Sequence, residues 1–333
     1  MRCVVASDFG GIDALRLEIL PPPPLTSGSV RISTRAAGIS FANLLVIEGK
    51  HQNTPSPPFT PGTEIAGIIT EIAGNTVNNL NVGDRVCAGL QSGGFADQAV
   101  VPADNVFKIP NNLDFDAATH FPTIYATAYA ALAWRAALLP GEVLLVHGAA
   151  GASGLAAVEI GRALGARVIA TAGGPEKTAT ARAHGADHAI DSRDGDIREA
   201  VLELTDGHGV DVVFDPVGGE IFDQSLRCVA PLARLIPMGF ASGQIPQIPA
   251  NLILVKNLTV IGLYWGYYMA WGKTKAGPAL RAEVRTLFDE LFVLFEQGAL
   301  HCTIDSALPL AEFALGLRRV SGRSVIGKVV LNP

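Results

Sequence analysis

The sequence predicts an α/β protein in two parts, a β-rich first domain followed by a doubly wound domain built on a parallel sheet. The first third contains short apolar runs separated by Gly, Pro and Asn, such as VRISTRAAGIS and AGIITEIAG, which are typical of strands joined by turns. Further along, strand and helix patterns alternate, and such alternation specifies a parallel sheet covered on both faces. The pattern changes near Pro140-Gly141, which separates a helical run from the strand EVLLVH.

The elements of the second domain follow one another in a regular order. Strands are predicted at EVLLVH, RVIAT, DHAI, VDVVFDPV and RLIPMG, and helices are predicted to begin at Ser153, Glu176 and Ile197. A long amphipathic segment and a final VIGKVVL strand break the alternation, and we expect this tail to fold back onto the first domain. We therefore predict a first domain of residues 1–120, completed by residues 268–333, and a second domain of residues 121–267.

Composition and charge exclude several classes of protein. With 333 residues, of which 49% are hydrophobic and 17% charged, the chain has enough apolar material for two cores and is not disordered. A net charge of -6 gives no general attraction for nucleic acid or anionic membranes. The longest uncharged stretch, residues 235–255, contains three prolines, which argues against a membrane-spanning helix.

The first residues and the cysteines indicate the expected compartment. Residues 1–6 run directly into a strand-like pattern without the apolar segment of a signal peptide, so we expect a cytoplasmic location. The four cysteines are scattered, with neither a CxxC pair nor a histidine at metal-ligand spacing. We expect them to be reduced structural thiols.

A glycine-rich turn follows the first strand of the second domain. The segment VLLVHGAAGASGLAAVEIGRALGARVIATA reads as strand, turn, small-residue helix and second strand, the order of a Rossmann nucleotide-binding unit. Gly148, Gly151 and Gly154 occupy the turn, and with Ala152 and Ser153 they form the predicted pyrophosphate site at the helix N-terminus. The alternative is an ordinary loop in a sheet that binds no dinucleotide.

The end of the second strand indicates which dinucleotide binds. Sites that prefer NAD place Asp or Glu there to hold the ribose hydroxyls, whereas this chain has Thr-Ala-Gly-Gly, with Gly173 as the first glycine and Lys177 just beyond. Without a carboxylate to repel a 2′-phosphate, the pocket is predicted to bind NADP(H) through Gly173 and Lys177. Alternatively, Lys177 only solvates the exposed face of the following helix.

Several further strings occur in the order found in one enzyme family. They are FTPGTEIAGIITEIAGNTVNNLNVGDRV, GGFADQAVV, YATAYAAL, LVHGAAGASG, DVVFDPVGG, IPMGFASG and IGLYWG. Together they make nearly the whole chain resemble the zinc-free quinone oxidoreductase branch of the medium-chain dehydrogenase/reductase superfamily. The resemblance implies a GroES-like β domain completed by the C-terminal tail, a Rossmann domain, and an active site in the interdomain cleft.

The resemblance also implies that no metal takes part. Zinc-dependent relatives carry Cys and His at the positions where this chain has Ser40 and Thr63. Catalytic zinc needs three protein ligands, and Glu64 alone does not supply them. We expect Glu64 to have a structural role, with Arg85 as its buried partner.

The resemblance further implies a set of cofactor contacts outside the glycine turn. These are Tyr125, Thr127, Lys177, Phe240, Leu263 and Arg323. Phe240 and Leu263 are expected near the nicotinamide. Arg323 is expected to reach the 2′-phosphate, because a guanidinium can donate two parallel hydrogen bonds to a phosphate group. The alternative for Arg323 is an exposed residue ahead of an edge strand.

Three residues are predicted on the substrate side, where the chain departs from its relatives. Similar enzymes read NxxD after the AAG segment and carry a tyrosine two residues beyond the next glycine, whereas this chain has Ser40, Asn43 and His51. All three retain a hydrogen-bond donor, and His51 is suited to proton transfer near neutral pH. Equally, His51 fits an exposed loop residue. His120 and His147 are expected to pack rather than react.

The predicted function is NADPH-dependent hydride transfer to a small-molecule quinone or other α,β-unsaturated carbonyl compound, without zinc. One alternative is a 2-enal or 2-enoyl thioester reductase, although no Lys/Arg cluster for a phosphorylated carrier is evident. Another is an NADPH-binding crystallin-like or scaffold protein with little turnover. We expect a homodimer, because the NLTVIGLYWG run resembles an edge strand that relatives pair across a two-fold axis.

Overall fold

The structure, a computed structural model, describes residues 1–74, 79–272 and 276–333. The chain forms two compact units, and each is considered by itself below. Unit 1 comprises Met1–Ala126, Trp265–Glu296 and Cys302–Pro333. Unit 2 comprises Thr127–Tyr264 and Gln297–His301.

Strands occur in both units and are numbered along the chain. They are β1 (Arg2–Ala6), β2 (Leu15–Ile19), β3 (Ser29–Ile39), β4 (Glu64–Ile72), β5 (Arg85–Gly89), β6 (Gln98–Pro102), β7 (Val106–Lys108), β8 (Val143–Val146), β9 (Arg167–Ala172), β10 (His188–Asp191), β11 (Val210–Asp215), β12 (Val229–Pro237), β13 (Thr259–Val260), β14 (Ile304–Pro309) and β15 (Lys328–Asn332). β1 and β2 pair as a separate antiparallel ribbon.

The helices are numbered in the same way. They are α1 (Phe41–Ile47), α2 (Phe115–Ala118), α3 (Ala126–Tyr129), α4 (Ala152–Ala163), α5 (Pro175–Ala183), α6 (Ile197–Leu204), α7 (Glu220–Cys228), α8 (Ala250–Lys256), α9 (Trp265–Tyr268), α10 (Pro278–Glu296) and α11 (Phe313–Ser321). Short π-helical turns at Phe121–Tyr125 and Ala130–Arg135 flank α3 in place of the single helix predicted there. Within the described ranges, no helix is both long and apolar enough to cross a membrane.

The larger sheet of unit 1 is built around the long central strand β3. The strand order is β14, β15, β3, β4, β5 and β7, with β6 also paired to β3. The C-terminal strand β15 joins the sheet antiparallel to β3, where Val329 pairs with Ile39 and Leu331 with Ala37. Ile32, Ile65 and Leu331 are fully buried in the apolar core of this sheet. The C-terminal tail is thus an integral part of unit 1.

Unit 2 contains a six-stranded sheet with the order β10, β9, β8, β11, β12 and β13. All of its strand pairs are parallel, which confirms the predicted parallel sheet. In chain order this is the 3-2-1-4-5-6 arrangement of doubly wound folds, in which ligands bind beyond the carboxyl ends of the strands where the order reverses. That point lies between β8 and β11.

Small residues bring α4 close to this sheet. A Cβ atom on Gly161 would lie 2.4 Å from Cδ2 of Leu144 on β8, a distance that no real contact allows. The strand itself is the apolar run VLLV, whose last three residues are fully buried. The close approach of α4 fixes where its N-terminus meets the end of β8. All four cysteines are buried.

Candidate cofactor and substrate sites

In the turn between β8 and α4, the backbone conformation requires glycine at position 148, and close packing requires it at position 154. Gly148 has a φ of +59°, a left-handed conformation that favours glycine. A Cβ atom on Gly154 would lie 2.3 Å from the carbonyl oxygen of Gly148. That same oxygen accepts a hydrogen bond from the Gly151 amide at 3.0 Å. The turn is therefore tight, and α4 packs directly against it.

Gly151 is different, because the fold leaves room for a side chain at this position. It precedes α4 with a φ of -78°, which any residue adopts. A Cβ atom there would meet nothing nearer than the Gly148 oxygen at 3.6 Å, an ordinary contact. Ala152 and Ser153 follow, both half-buried, and first-turn amides have no partner within a helix. The bare backbone at Gly151 suits an anion that approaches these amides.

The end of β9 contributes the second part of the predicted cofactor site. Gly173 is half-buried, and Gly174 caps α5 with a φ of +100°. Lys177 lies in the first turn of α5 and is half-buried. The structure therefore brings Gly173 and Lys177 together, at the same edge of the sheet as the turn after β8.

Arg193 is a residue near this position that is not evident from the sequence. It follows β10, which pairs with β9 so that Asp191 lies opposite Ala172. Its guanidinium binds the Asp191 carboxylate through Nε at 3.1 Å and Nη2 at 3.0 Å. A Cβ atom on Gly174 would lie 2.5 Å from Nη2, so the guanidinium lies directly against the end of β9. Only the pairing of β9 with β10 reveals this.

Asp191 qualifies the prediction that no carboxylate lies near this strand end. The end of β9 has none, but Asp191 at the end of β10 accepts a hydrogen bond from the Gly174 amide at 2.8 Å. The hydrogen bonds and charge of Arg193 hold the pKa of Asp191 below its usual range. The carboxylate is therefore ionised and paired with a cation, which reduces its repulsion of a nearby phosphate.

The other cofactor residues predicted in unit 2 lie in α3 and beyond the last strands. Thr127 is half-buried in α3. Phe240 lies in the loop after β12 with 40% of its surface exposed, and Leu263, half-buried, follows β13. The loop after β11 is shaped by Asp215, whose Oδ1 accepts hydrogen bonds from the amides of Val217 at 2.7 Å and Gly218 at 3.0 Å. These loops follow the carboxyl ends of their strands.

His147 has a packing environment, as expected. It is fully buried, with Nδ1 2.8 Å from the Thr171 hydroxyl and Nε2 2.7 Å from the Ser225 hydroxyl. Burial lowers the pKa of His147, so the ring is neutral. Its two hydrogen bonds connect the end of β8 to β9 and to α7. In unit 1, His120 is likewise buried, and burial together with the charge of Lys328 lowers its pKa to about 3.

Ser40 and Asn43 form one hydrogen-bonded pair at the start of α1 in unit 1. The Asn43 Oδ1 atom accepts from the Ser40 amide at 2.8 Å and from the Ser40 hydroxyl at 3.1 Å. Asn43 is fully buried, whereas Ser40 is half-buried. In this geometry Asn43 positions Ser40, and the Ser40 hydroxyl is the more accessible donor of the two.

His51 follows the other end of α1. Its amide donates to the carbonyl oxygen of Leu45 at 3.2 Å, and its Nδ1 lies 3.2 Å from the Asn53 amide nitrogen. The ring is half-buried, and burial lowers the pKa of His51, an effect partly offset by a hydrogen bond with the Asn53 backbone. His51 is therefore a neutral imidazole near pH 7, suited to hydrogen bonding, and it becomes an acid only at lower pH.

Glu64 has a different partner from the one predicted. Its Oε1 atom lies 2.5 Å from Nζ of Lys328, which also donates to the carbonyl oxygen of Thr119 at 2.9 Å. Both side chains of the ion pair are at most 1% exposed. Burial raises the pKa of Glu64 and lowers that of Lys328, and the opposite charge of each offsets this.

The expectation that Arg85 pairs with Glu64 is wrong. The Arg85 guanidinium instead donates to the carbonyl oxygens of Pro110, Asn111 and Leu113, and it lies over the ring of Phe115. Hydrogen bonds to three carbonyl oxygens and the face of an aromatic ring stabilise the Arg85 guanidinium without a carboxylate partner. Arg85 therefore fixes the loop between β7 and α2.

Tyr125 and Arg323, two further predicted cofactor residues, both belong to unit 1. Tyr125 is buried, and its hydroxyl accepts a hydrogen bond from the Cys302 amide at 3.0 Å. Arg323 is exposed, follows α11 and has a φ of +54°. The structure thus gives Tyr125 a packing contact within unit 1, and a role for either residue in cofactor binding stays a prediction.

Comparison with known proteins identifies the family. The sequence-family model for the alcohol dehydrogenase GroES-like domain matches residues 26–111, and the family model for zinc-binding dehydrogenase matches residues 152–276. A quinone oxidoreductase-like protein 2 homolog of Nematostella vectensis is 41% identical over 311 residues, covering 92% of this chain and 82% of that protein. The chain belongs to the quinone oxidoreductase branch of the medium-chain dehydrogenase/reductases.

Two other members of this branch match over most of their length. Quinone oxidoreductase-like protein 2 of Bos taurus is 35% identical over 319 residues, covering 96% of this chain and 89% of that protein. The crystal structure of Escherichia coli quinone oxidoreductase complexed with NADPH superposes with a TM-score of 0.89 at 27% identity and covers 100% of both chains. The predicted fold class and family are therefore confirmed.

The zinc implied by one of these family models does not fit the residues that stand where zinc-dependent relatives carry their ligands. Ser40 and Thr63 offer hydroxyl groups rather than a thiolate and an imidazole, and these are poor zinc ligands. The one carboxylate there, Glu64, is already paired with the Lys328 ammonium group, whose positive charge disfavours a second cation beside it. No step of the reaction is therefore assigned to a metal at this position.

Proposed function

We propose that this member of the quinone oxidoreductase branch reduces quinones or other α,β-unsaturated carbonyl compounds with NADPH and without zinc. The observation that carries the proposal is the turn after β8, where Gly151 lacks a side chain although the fold has room for one. An uncovered backbone at the start of a helix is what a pyrophosphate requires. The NADPH complex of the Escherichia coli quinone oxidoreductase supports the same choice of cofactor.

In this proposal, different residues of unit 2 bind different parts of NADPH. The amides of Ala152 and Ser153 bind the pyrophosphate beside the bare backbone of Gly151, because first-turn N–H groups and the helix dipole both favour an anion. Lys177 and Arg193 bind the 2′-phosphate beside the end of β9. Thr127, Phe240 and Leu263 complete the contacts, with the two apolar residues next to the nicotinamide.

When bound, the nicotinamide supplies a hydride. Hydride addition to the β carbon of an enone moves an electron pair onto the carbonyl oxygen, and addition to a quinone does the same. The His51 ring donates a hydrogen bond to that oxygen, and the Ser40 hydroxyl donates another after it turns away from Asn43 Oδ1. The negative charge that develops on the oxygen strengthens both bonds. Asn43 holds Ser40 in place through the hydrogen bond from the Ser40 amide to Oδ1, and it accepts the Ser40 hydroxyl proton when no substrate oxygen does.

Protonation completes the reaction, and the substrate determines how much it depends on the protein. An enolate needs a proton at carbon. The neutral His51 ring orders the water that supplies this proton, and at lower pH the protonated ring supplies it directly. A reduced quinone needs protons only at oxygen, which solvent provides. Reduction of an enone is therefore more sensitive to His51 than reduction of a quinone.

A steady-state screen tests the proposed function. Purified protein is assayed with NADPH and with NADH against quinones, enones, enals and 2-enoyl thioesters, and cofactor oxidation is followed by absorbance. We expect turnover of quinones and enones, with NADPH favoured over NADH. A clear preference for thioesters would make the protein a 2-enoyl thioester reductase. Tight NADPH binding without turnover of any acceptor would instead make it a binding protein.

We also infer that the protein forms a homodimer through the edge of the sheet in unit 2. β13 is the last strand in the order and pairs with β12 on one side. An edge strand presents unpaired backbone groups to another chain, and a two-fold axis lets the same strand serve both copies. Light scattering at micromolar concentration is expected to give the mass of a dimer, and a monomer mass would refute the inference.

A further inference from the structure

A buried carboxylate and two histidines meet in unit 2, away from the glycine turn. Glu159 lies on α4, and its side chain is 1% exposed. Its Oε1 atom lies 2.5 Å from Nδ1 of His184 and 3.0 Å from Nδ1 of His301. The His301 amide also lies 3.3 Å from both carboxylate oxygens. Glu159 follows Ala152 by about two helical turns, or roughly 10 Å along the axis.

The chemistry of this group differs from that of an ordinary buried ion pair. Two imidazoles contact the buried Glu159 carboxylate, whereas an arginine or lysine is the more usual partner of a buried carboxylate. Imidazole is charged only when protonated, and its ring nitrogens are also metal ligands. Both histidines direct Nδ1, the same ring atom, at one carboxylate oxygen. Two nitrogens and one oxygen thus converge.

We propose that Glu159, His184 and His301 bind a divalent transition-metal ion, with Zn²⁺ as the best match. The three ligand atoms all lie within 4.8 Å of one another. Zinc bonds to nitrogen and oxygen are about 2.0–2.2 Å long, which in a tetrahedral site places ligand atoms about 3.3 Å apart. The ion takes the place of the Nδ1 protons of both histidines, each ring keeping one proton on Nε2, and small rotations of the side chains admit it.

The donor set selects the class of ion. Imidazole nitrogen suits zinc and its neighbours in the first transition row, whereas magnesium and calcium prefer oxygen ligands. The His301 side chain is 54% exposed and that of His184 10% exposed, so an ion reaches the site from solvent. Three protein ligands leave the fourth position for water.

The position of the site indicates a structural role. His184 caps the C-terminal end of α5, and His301 ends the segment Gln297–His301 of unit 2. A bound ion therefore ties together α4, α5 and a segment 142 residues further along the chain than Glu159. Binding to the folded state alone raises the stability in proportion to the logarithm of the metal concentration. The proposed reduction chemistry does not use this ion.

Zinc titration of chelator-treated protein tests the proposal. We expect one equivalent of Zn²⁺ to bind and to raise the melting temperature. Variants His184→Gln, His301→Gln and Glu159→Gln each remove one ligand, and each is expected to weaken binding at least about 10-fold. His208→Gln is the matched control, because His208 is exposed and lies 3.6 Å from Asp211, outside the cluster. It is expected to bind zinc like the unmodified protein.

His301→Gln keeps the test decisive if the buried variants fold poorly, because this side chain is half exposed. Its melting temperature without zinc is expected to equal that of the unmodified protein, and only the increase with zinc is expected to disappear. Failure of the unmodified protein to bind one equivalent of zinc would overturn the proposal. Unchanged zinc affinity in both His184→Gln and His301→Gln would also overturn it, and the three residues would then form a hydrogen-bonded cluster only.

Discussion

Replacement of Gly151 and Gly154 by alanine, one at a time, separates cofactor binding from the needs of the fold. In Gly151→Ala the new methyl group lies 3.6 Å from its nearest neighbour, the Gly148 carbonyl oxygen. The backbone φ of -78° at this position is one that alanine adopts without strain. Alanine is less favourable than glycine before a helix, but it also restricts the unfolded chain, and these opposing effects leave the free energy of unfolding within about 1 kcal/mol. The protein without cofactor should therefore fold normally.

NADPH binding should respond quite differently in Gly151→Ala. The methyl group occupies the space through which the pyrophosphate approaches the amides of α4. A hydrogen bond to a charged group contributes about 1.5–3 kcal/mol, so the loss of one weakens NADPH binding about 10-fold to 150-fold. The expected signature is weak NADPH binding by a protein of normal stability.

Gly154→Ala provides the contrast, because its methyl group collides with the protein itself. The Cβ atom would lie 2.3 Å from the Gly148 oxygen, so the turn has to move by about 1 Å, and overpacking of this kind costs about 1–3 kcal/mol. Urea unfolding measures the stability of both variants, and calorimetric titration measures their NADPH affinity. The reasoning fails if Gly151→Ala binds NADPH as tightly as the unmodified protein, or if it loses as much stability as Gly154→Ala.

Three further predictions concern side chains of unit 1. His51→Phe should lower kcat for enones about 100-fold with NADPH affinity unchanged, and His51→Tyr should retain more activity; equal rates in stopped-flow or steady-state assays would show that His51 is a loop residue. Lys328→Met leaves Glu64 buried without its cation and should cost about 3–5 kcal/mol of unfolding free energy. Adding Glu64→Gln should recover much of it, and a single variant as stable as the unmodified protein in urea would contradict the pairing. His120, with its pKa lowered from 6.5 to about 3, binds protons more readily when unfolded, so acidification between these values should lower the free energy of unfolding by about 1.4 kcal/mol per pH unit from this residue. His120→Gln should flatten that dependence, and an unchanged slope would refute the assignment.

Local pattern was enough to predict the sheet of unit 2. Each strand there is a short apolar run bounded by turn residues, and helices are predicted between the first four strands, so the alternation is visible without knowledge of the fold. Helices α7 and α8 are not predicted. The predicted starts at Ser153, Glu176 and Ile197 lie within one residue of the observed helices. The glycine turn is equally local, because its three glycines lie within seven consecutive residues.

Contacts between distant parts of the chain could not be predicted in the same way. Closeness in sequence favours Arg85 as the partner of Glu64, whereas the actual partner, Lys328, lies 264 residues away and reaches Glu64 only through the pairing of β15 with β3. Arg193 is brought beside the end of β9 by the neighbouring strand β10. The cluster around Glu159 likewise joins three separate segments, and no spacing in the sequence indicates it.

Transfer of deuterium from NADPH tests the central claim most directly. Chelator-treated protein is incubated with an enone and NADPH in which both C4 hydrogens of the nicotinamide are deuterium, and the product is analysed by mass spectrometry and NMR. Direct hydride transfer predicts deuterium at the β carbon of the product, formed without added metal and more slowly with deuterated NADH. A product without deuterium, or turnover that returns only when zinc is restored, would contradict the claim.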